Sequence, residues 1–231
     1  MYIKTELPKH PLGDRFDYFL YSHCVSLEGV NVVMDEIKDF DIFKRVMRSN
    51  VTIGKEEKVH YYGTKAFKKW YRTLFEFPKA NNITTYDVKL PEKFVVSAWD
   101  AGQEYRVIEL ERRKRIEKFW KNKGYEIVIV GGEAKEDKFK NDLDFIFYVI
   151  SKAEAYVGAD SGFMHLSKAV LPLNSIFPYV NMKWEHDEIK DLHRKSWQNY
   201  EDGRSLTAQV KILEETGVQL NRGEKPGWNI K

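Results

Sequence analysis

Four residues that could form a ligand site, Asp160, Ser161, Gly162 and His165, occur together where a strand pattern changes into a helix pattern. Residues 155–170 read AYVGADSGFMHLSKAV, an apolar run, a break and then helical spacing. Ser161 and Gly162 would begin the helix, where unpaired backbone N–H groups and the helix dipole favour an anion such as a diphosphate. His165 would lie about one turn further on and could reach the same ligand. The ordinary alternative is that Asp160 or Ser161 caps the helix and that His165 is a core residue.

Two earlier segments have the same character. SAWDAGQEYR at 97–106 and GGEAKE at 131–136 each follow an apolar run with polar and glycine residues. Ligands of an open parallel sheet bind at the carboxyl ends of its strands. We therefore expect all three segments at one edge of one sheet. The single glycine pair in the second segment does not form the G-x-G-x-x-G pattern of a dehydrogenase.

From residue 93 onward, strand patterns alternate with helix patterns. The strands are KFVVSAW, YEIVIVGG, AYVGAD and NSIFPY, and the helices between them cover 104–123, 138–154 and 161–170. Gly124 is placed to end the first of these helices. Strands that alternate with helices of this length predict βαβ units and a parallel sheet.

The N-terminal half is less regular. Residues 2–7 and 29–35 read as strands, and 81–93 as a strand followed by a linker, whereas 17–27 suits either a strand or a helix. Residues 64–77 have the apolar spacing of an amphipathic helix.

The pattern divides the chain into three parts. An N-terminal α/β domain is predicted over residues 1–92 and a Rossmann-like domain over 93–190. A C-terminal segment over 191–231 contains a further predicted helix at 205–217.

The segment GADSGFMHLSKA resembles the D-S-G-x-x-H-x-A-x-A signature of the ADP-heptose:lipopolysaccharide heptosyltransferases, glycosyltransferase family nine. The sequence differs at Ser167, where the family favours alanine. The resemblance implies a compact variant of the GT-B fold, with two Rossmann-like halves, parallel sheets and a reduced N-terminal half. It assigns the acceptor to residues 1–92 and a nucleotide-sugar donor to residues 93–190.

The same resemblance implies roles for individual residues. Asp160, Ser161 and Gly162 would hold the donor diphosphate, and His165 would act at the leaving group. Arg106 stands about where the family has a phosphate-binding lysine, and arginine can bind phosphate through two hydrogen bonds. An exposed arginine at a helix start is the alternative for Arg106.

Two carboxylates complete the set that the resemblance implies. Glu133 corresponds loosely to an acidic residue near the donor ribose, and a solvated loop carboxylate is the alternative. Gly13-Asp14 corresponds to the pair whose aspartate is the proposed general base, since an acceptor hydroxyl must lose a proton as it attacks. A helix-capping aspartate is the alternative there, and Asp17, one turn on, is the second candidate for the base.

Composition sets outer limits on the function. The chain has 231 residues, 42% of them hydrophobic and 32% charged, a net charge of +3 and one cysteine, Cys24. A disulfide framework and a cysteine-built zinc site are therefore excluded. No run approaches the length of a membrane span, and the first residues lack a signal-peptide core. A cytoplasmic location, the host cytoplasm for a viral protein, is the expectation.

Metal sites and cofactors are not predicted. Asp39-Phe40-Asp41 and Asp142-Leu143-Asp144 have the Asp-x-Asp form, but the second pair lies within a predicted helix, where its carboxylates would point apart. The first lies in a predicted polar linker. His186 and His193 are interpreted as part of a hydrated surface.

A basic face of the helix predicted at 64–77 bears on the acceptor. It comprises Lys65, Lys68, Lys69 and Arg72. Such a face could contact the phosphates of DNA or of an anionic glycan, although solvent-facing helix surfaces are commonly charged.

We therefore hypothesise an inverting, metal-independent glycosyltransferase with a nucleotide-diphosphate sugar as co-substrate. Its acceptor would be either hydroxymethylated bases of viral DNA or a bacterial surface glycan. The alternatives are a non-catalytic nucleotide- or sugar-binding module and a DNA-binding accessory protein.

Overall fold

The computed structural model describes residues 2–4, 11–27, 29, 31–54, 59–61, 78–101, 107–179 and 205, with the backbone alone for 2–4 and 59–61. The helices predicted over 64–77 and 205–217 lie outside the described residues, apart from position 205. The described chain forms two compact units, one up to Asn82 and one from Ile83 onward.

The first unit contains a four-stranded parallel sheet. Its elements are β1 (Tyr2–Lys4), α1 (Leu12–Leu27), β2 (Val33–Met34), α2 (Phe40–Met47), β3 (Thr52–Ile53) and β4 (Val59–Tyr61). The strand order is β3-β2-β1-β4, and every neighbouring pair is parallel. The short central strand β1 therefore has its sequence neighbour β2 on one side and β4 on the other.

Aromatic packing between α1 and α2 explains why residues 17–27 are helical. Phe16 and Phe19 are fully buried, and so is Phe43 of α2. The ring centroids of Phe16 and Phe43 lie 5.1 Å apart, and those of Phe19 and Phe40 lie 5.7 Å apart. Buried rings at a spacing of three residues require a helix, because a strand would point Phe16 and Phe19 to opposite faces.

The second unit contains a second four-stranded parallel sheet. Its elements are β5 (Phe94–Ser97), α3 (Leu110–Asn122), β6 (Glu126–Ile129), α4 (Asp137–Asn141), α5 (Leu143–Lys152), β7 (Ala155–Ala159), α6 (Gly162–Val170), a 3-10 turn (Leu173–Ser175) and β8 (Ile176–Tyr179). The strand order is β6-β5-β7-β8, all parallel. The strand order reverses beside β5, so β5 and β7 form a topological switch point, where open sheets bind ligands.

The core of the second unit covers both faces of its sheet. All residues of β5 and β7 are buried, as expected for parallel strands that have helices on both sides. One core cluster joins Trp99, Ile116, Trp120 and Tyr179. Gly124 follows α3 with a φ of +83°, as predicted for a helix-ending glycine. The predicted α/β architecture with two parallel sheets is confirmed.

Three local predictions were wrong. Residues 81–93 form no strand. The segment predicted as a polar linker around Asp39 opens helix α2. The single helix predicted over 138–154 is two helices, because Asp142 lies between them and its side chain accepts a hydrogen bond from the Phe145 N–H. Within the described residues, no helix combines the length and apolar character that a bilayer crossing requires.

Candidate functional site

A glycine, Gly158, lies where the ends of β5 and β7 come close together at the switch point. A Cβ added to Gly158 of β7 would lie 2.9 Å from the Ala98 nitrogen and 2.9 Å from the Tyr156 hydroxyl oxygen, and closer still to the Ala98 carbonyl oxygen. No side chain fits there without movement of the backbone, because heavy atoms do not approach so closely. Gly158 therefore allows the ends of β5 and β7 to lie against each other.

The loop after β6 is held by a carboxylate from the loop after β5. Asp100 Oδ2 accepts a hydrogen bond from the Gly132 N–H at 2.8 Å. Gly131 has a φ of +84°, and a Cβ there would lie 2.5 Å from the Phe163 ring and 2.9 Å from Asp100. The side chains of Phe163 and Asp100 thus lie against Gly131, where a left-handed φ would strain any larger residue. Asp100 was missed as a site residue, although it is the first polar residue after the buried run that contains β5.

The predicted helix start at Ser161 is confirmed in position. Ser161 is the residue before α6, and its side chain makes no capping hydrogen bond to the helix. Its carbonyl oxygen accepts from the Met164 N–H at 3.1 Å and from the His165 N–H at 3.3 Å. The N–H groups of Gly162 and Phe163 have no partner among the described residues, as the first N–H groups of a helix lack intrahelical acceptors.

His165 and Asp160 face each other across the start of α6. His165 Nε2 lies 3.9 Å from Asp160 Oδ1, and the two side chains are 18% and 16% exposed. The imidazole is therefore close to both a carboxylate and the N-terminal turn of the helix. An imidazole in this place can donate a hydrogen bond to an anion bound at the turn.

A buried tyrosine that sequence reasoning missed lies beneath this turn. Tyr156 is fully buried, and its hydroxyl donates to the Ala159 carbonyl at 2.7 Å. The same oxygen lies 3.3 Å from Ser161 Oγ. Burial raises the pKa of Tyr156, so the phenol keeps its proton. No sequence pattern distinguishes this tyrosine from a core residue.

Glu133 is paired with an arginine rather than free in the loop. Arg113 of α3 bonds to Glu133, and its Nε bonds to Glu117 Oε1 at 2.9 Å. The guanidinium carbon lies 5.4 Å from the centroid of the Trp99 ring, a cation–π arrangement. Glu133 remains 42% exposed, so its carboxylate is still accessible to a ligand.

The remaining predicted residues lie elsewhere. Asp14 is exposed in the first turn of α1, in the first unit. Arg106 lies outside the described residues. The same holds for the predicted basic face, Lys65, Lys68, Lys69 and Arg72. The structure thus brings together Asp160, Ser161, Gly162 and His165.

The Asp-x-Asp pairs have other partners in the structure. Asp39 forms an ion pair with Arg15 at 2.8 Å, and Asp144 Oδ2 accepts from the Thr84 hydroxyl at 3.0 Å. Across the part of the chain that the structure describes, no group of three or more His, Cys, Asp or Glu residues is arranged to hold a metal ion.

Comparison with known proteins finds similarity to solved structures and none at the level of sequence. No family model matches the sequence, and no curated protein matches it. The chain is similar to the crystal structure of the iron-containing dodecameric glycosyltransferase TibC from enterotoxigenic E. coli H10407, with a TM-score of 0.56 at 12% identity, over 79% of this chain and 58% of that one. The dodecameric iron-containing heptosyltransferase TibC in complex with ADP-D-beta-D-heptose gives the same values.

At 12% identity, the similarity to these structures is evidence about the fold. The chain spans 58% of the length of the structures that it matches. With the two parallel sheets described above, the likeness confirms the predicted GT-B-like fold of two Rossmann-like halves. The described residues supply no cluster of three or more His, Cys, Asp or Glu side chains that would hold iron.

Proposed function

We propose that this protein is a glycosyltransferase that moves a sugar from a nucleotide-diphosphate sugar to an acceptor hydroxyl, as a compact relative of family nine. The observation that carries the proposal is the uncapped N-terminus of α6 at the switch point. There the Gly162 and Phe163 N–H groups have no partner among the described residues, and His165 lies one turn away. This arrangement suits a diphosphate.

The reaction needs a base that removes the proton from the acceptor hydroxyl and groups that stabilise the negative charge of the leaving nucleotide diphosphate. The acceptor oxygen attacks the anomeric carbon while the bond from that carbon to the diphosphate oxygen breaks, and the nucleotide diphosphate leaves with the electron pair. The acceptor proton passes to Asp14, and attack from the face opposite the leaving group inverts the anomeric carbon. Exposure of the Asp14 carboxylate at the start of α1 supports this role.

The leaving group is stabilised by groups of this chain. The helix dipole of α6 and its N–H groups would stabilise the diphosphate, His165 would donate a hydrogen bond to it, and Arg106 would add positive charge. We propose that these groups supply the charge stabilisation and that no metal ion or further cofactor takes part in the reaction. Glu133, held by Arg113, is proposed to accept a hydrogen bond from the donor ribose.

The positive charge of the predicted basic face supports the proposal of an anionic acceptor. Lys65, Lys68, Lys69 and Arg72 would contact the phosphates of DNA that carries hydroxymethylated bases, and a base within a duplex would first be flipped out. A phosphorylated bacterial surface glycan is the other acceptor with suitable charge.

Donor binding is tested by isothermal titration of ADP, UDP and GDP into the wild-type protein and into His165→Ala. We expect at least one nucleotide to bind, and to bind more weakly to the variant. Glu126→Gln is the matched control. Glu126 is exposed at the start of β6, and so lies at the amino ends of the parallel strands, away from the site at their carboxyl ends. Absence of binding by all three nucleotides would contradict the proposal.

Catalysis is tested separately with Asp14→Asn. Release of nucleotide from a donor sugar is expected to fall roughly 10²–10⁴-fold, as for loss of a general base, with nucleotide affinity unchanged. Binding without turnover in the wild type would indicate a non-catalytic nucleotide-binding module. DNA binding without any nucleotide binding would indicate a DNA-binding accessory protein.

A further inference from the structure

The hydroxyl of Tyr156 connects three groups at the switch point. It donates to the Ala159 carbonyl at 2.7 Å, lies 3.5 Å from the Ala98 carbonyl oxygen and lies 3.3 Å from Ser161 Oγ. The residue is 0% exposed. One buried hydroxyl thus touches the ends of β5 and β7 and the residue that precedes α6.

Ser161 is in the position of a capping residue but does not cap. It has extended backbone angles, φ −137° and ψ 176°, which are those of an ordinary N-cap. A serine in this position normally accepts a hydrogen bond from the second or third N–H of the helix. In this structure the described contact of Ser161 Oγ is with Tyr156 instead.

The proton arrangement follows from the Tyr156 contacts. The phenol proton goes to the Ala159 carbonyl, the shorter of its contacts. Ser161 Oγ can then donate its own proton to the phenol oxygen, which has a lone pair available. The serine hydroxyl is thereby turned toward the sheet and away from the helix N–H groups.

Gly158 makes this contact sterically feasible. A Cβ at position 158 would lie 2.9 Å from the Tyr156 hydroxyl oxygen. Tyr156 and Gly158 are two positions apart in β7, and residues at this spacing in a strand lie on the same face of the sheet. The tyrosine ring can extend toward Ser161 only because residue 158 has no side chain.

We propose that Tyr156 is a positioning residue of the donor site, which holds the Ser161 hydroxyl away from α6 so that the Phe163 N–H stays available to the diphosphate. The inference rests on the proposed donor site. On this proposal, the affinity of the donor site for an anion depends on the buried Tyr156 hydroxyl, although that hydroxyl does not contact the ligand.

The test is a double-mutant cycle of Tyr156→Phe and Ser161→Ala, with binding of ADP and of inorganic pyrophosphate measured by titration. Removal of the phenol frees Ser161 to cap the helix and compete with the ligand. We expect Tyr156→Phe to weaken both probes roughly 5-fold, the size of one capping hydrogen bond. In the Ser161→Ala background, where no hydroxyl can cap, the same change should leave affinity unaltered.

A second measurement needs no ligand. The N-cap hydroxyl would bond to the Phe163 N–H, since the Met164 N–H already bonds to the Ser161 carbonyl. Amide hydrogen exchange at Phe163 should slow in Tyr156→Phe and should not slow in the double variant. A tyrosine that served only packing would not produce this pattern. Should Tyr156→Phe not fold, Tyr156→Met fills similar space without a hydroxyl and enters the same cycle.

The outcomes separate the two proposals. Equal loss of affinity from Tyr156→Phe in both backgrounds, with unchanged exchange at Phe163, would overturn the positioning role and leave the donor site standing. Failure of the wild-type protein to bind either probe would overturn both.

Discussion

At the scale of single residues, Gly158 is the position where one added carbon has the clearest consequence. Its hydrogen faces the backbone of Ala98 and the hydroxyl of Tyr156. The Ala98 backbone directly follows β5 and accepts a hydrogen bond from the Ala159 N–H, so it cannot move aside as a flexible side chain can. The cost of a larger residue therefore falls on the contact between β5 and β7.

We predict that Gly158→Ala lowers the free energy of unfolding by roughly 1–3 kcal/mol, the usual cost of overpacking, and also weakens nucleotide binding. Chemical denaturation and nucleotide titration measure the two effects. Gly124→Ala is the control: its φ of +83° strains an alanine, but nothing lies within 4 Å of the added carbon. It should cost stability and leave nucleotide affinity unchanged. Unaltered stability and binding in Gly158→Ala would contradict the proposed contact.

His23 shows the effect of burial on a titratable group in the first unit. The ring is 4% exposed, and its Nδ1 lies 3.0 Å from Ser49 Oγ. Burial lowers the pKa of His23 below its ordinary 6.5. The unfolded chain therefore binds a proton at a higher pH than the folded chain does.

The pH dependence follows from this difference. Above pH 6.5 His23 is neutral in both the folded and the unfolded chain and does not lower the free energy of unfolding. As the pH falls below 6.5, the unfolded chain binds the proton first, so the free energy of unfolding decreases until the pH reaches the lowered pKa of the folded state. We predict a decline in the free energy of unfolding of at most about 1.4 kcal/mol per pH unit below that point. Urea denaturation between pH 5 and 8 measures the decline. His23→Gln should have a shallower slope, and an equal slope would rule out His23 as the source.

At the scale of the elements, helix α5 illustrates how one capping residue sets a boundary. The apolar spacing of residues 138–154 is continuous enough to predict one helix. Asp142 has extended backbone angles, φ −86° and ψ 93°, and its Oδ1 accepts from the Phe145 N–H at 3.0 Å. Aspartate is among the strongest capping residues, so a helix starts at Leu143.

We predict that Asp142→Ala lowers the free energy of unfolding by about 1 kcal/mol, measured by chemical denaturation. Glu136→Ala is the matched control, since Glu136 precedes α4 in the same way but its side chain makes no capping bond. The control should differ little from the wild type. Equal effects of the two substitutions would show that the Asp142 hydrogen bond does not stabilise α5.

At the scale of the whole molecule, charge decides which acceptors can bind. The net charge of +3 spread over 231 residues gives only a weak long-range field. Affinity for a polyanion would therefore come from local clusters such as the basic face, Lys65, Lys68, Lys69 and Arg72.

We predict that changing these four residues to glutamine weakens DNA binding and flattens its dependence on salt, by about 0.9 in the log–log slope for each phosphate that is no longer neutralised. Titration of duplex DNA at several salt concentrations measures the slope. Changing four lysines and arginines of α3 (Arg112, Lys114, Arg115 and Lys118) to glutamine is the charge-matched control. An identical slope for both variants would show that the effect is not specific to the predicted face.

The sequence was informative where structure depends on near neighbours. The start of α6 after Ser161 and the end of α3 before Gly124 follow from residues a few positions apart, and both predictions are confirmed. Residues 81–93 were predicted wrongly, because alternating polarity also occurs in an extended segment that pairs with no strand.

What the sequence by itself determined is the parallel α/β class and the location of a polar strand-to-helix turn at residues 158–162, since both depend on local periodicity and on the short-range preferences of glycine and serine. Only the tertiary structure decided which groups meet there. Asp100 reaches Gly132, and Arg113 reaches Glu133. Tyr156 is buried at the reversal of strand order, where its hydroxyl lies 3.5 Å from the carbonyl oxygen of Ala98, the residue after β5. These contacts depend on the strand order and on close backbone approach, which are properties of the packed chain rather than of any local segment.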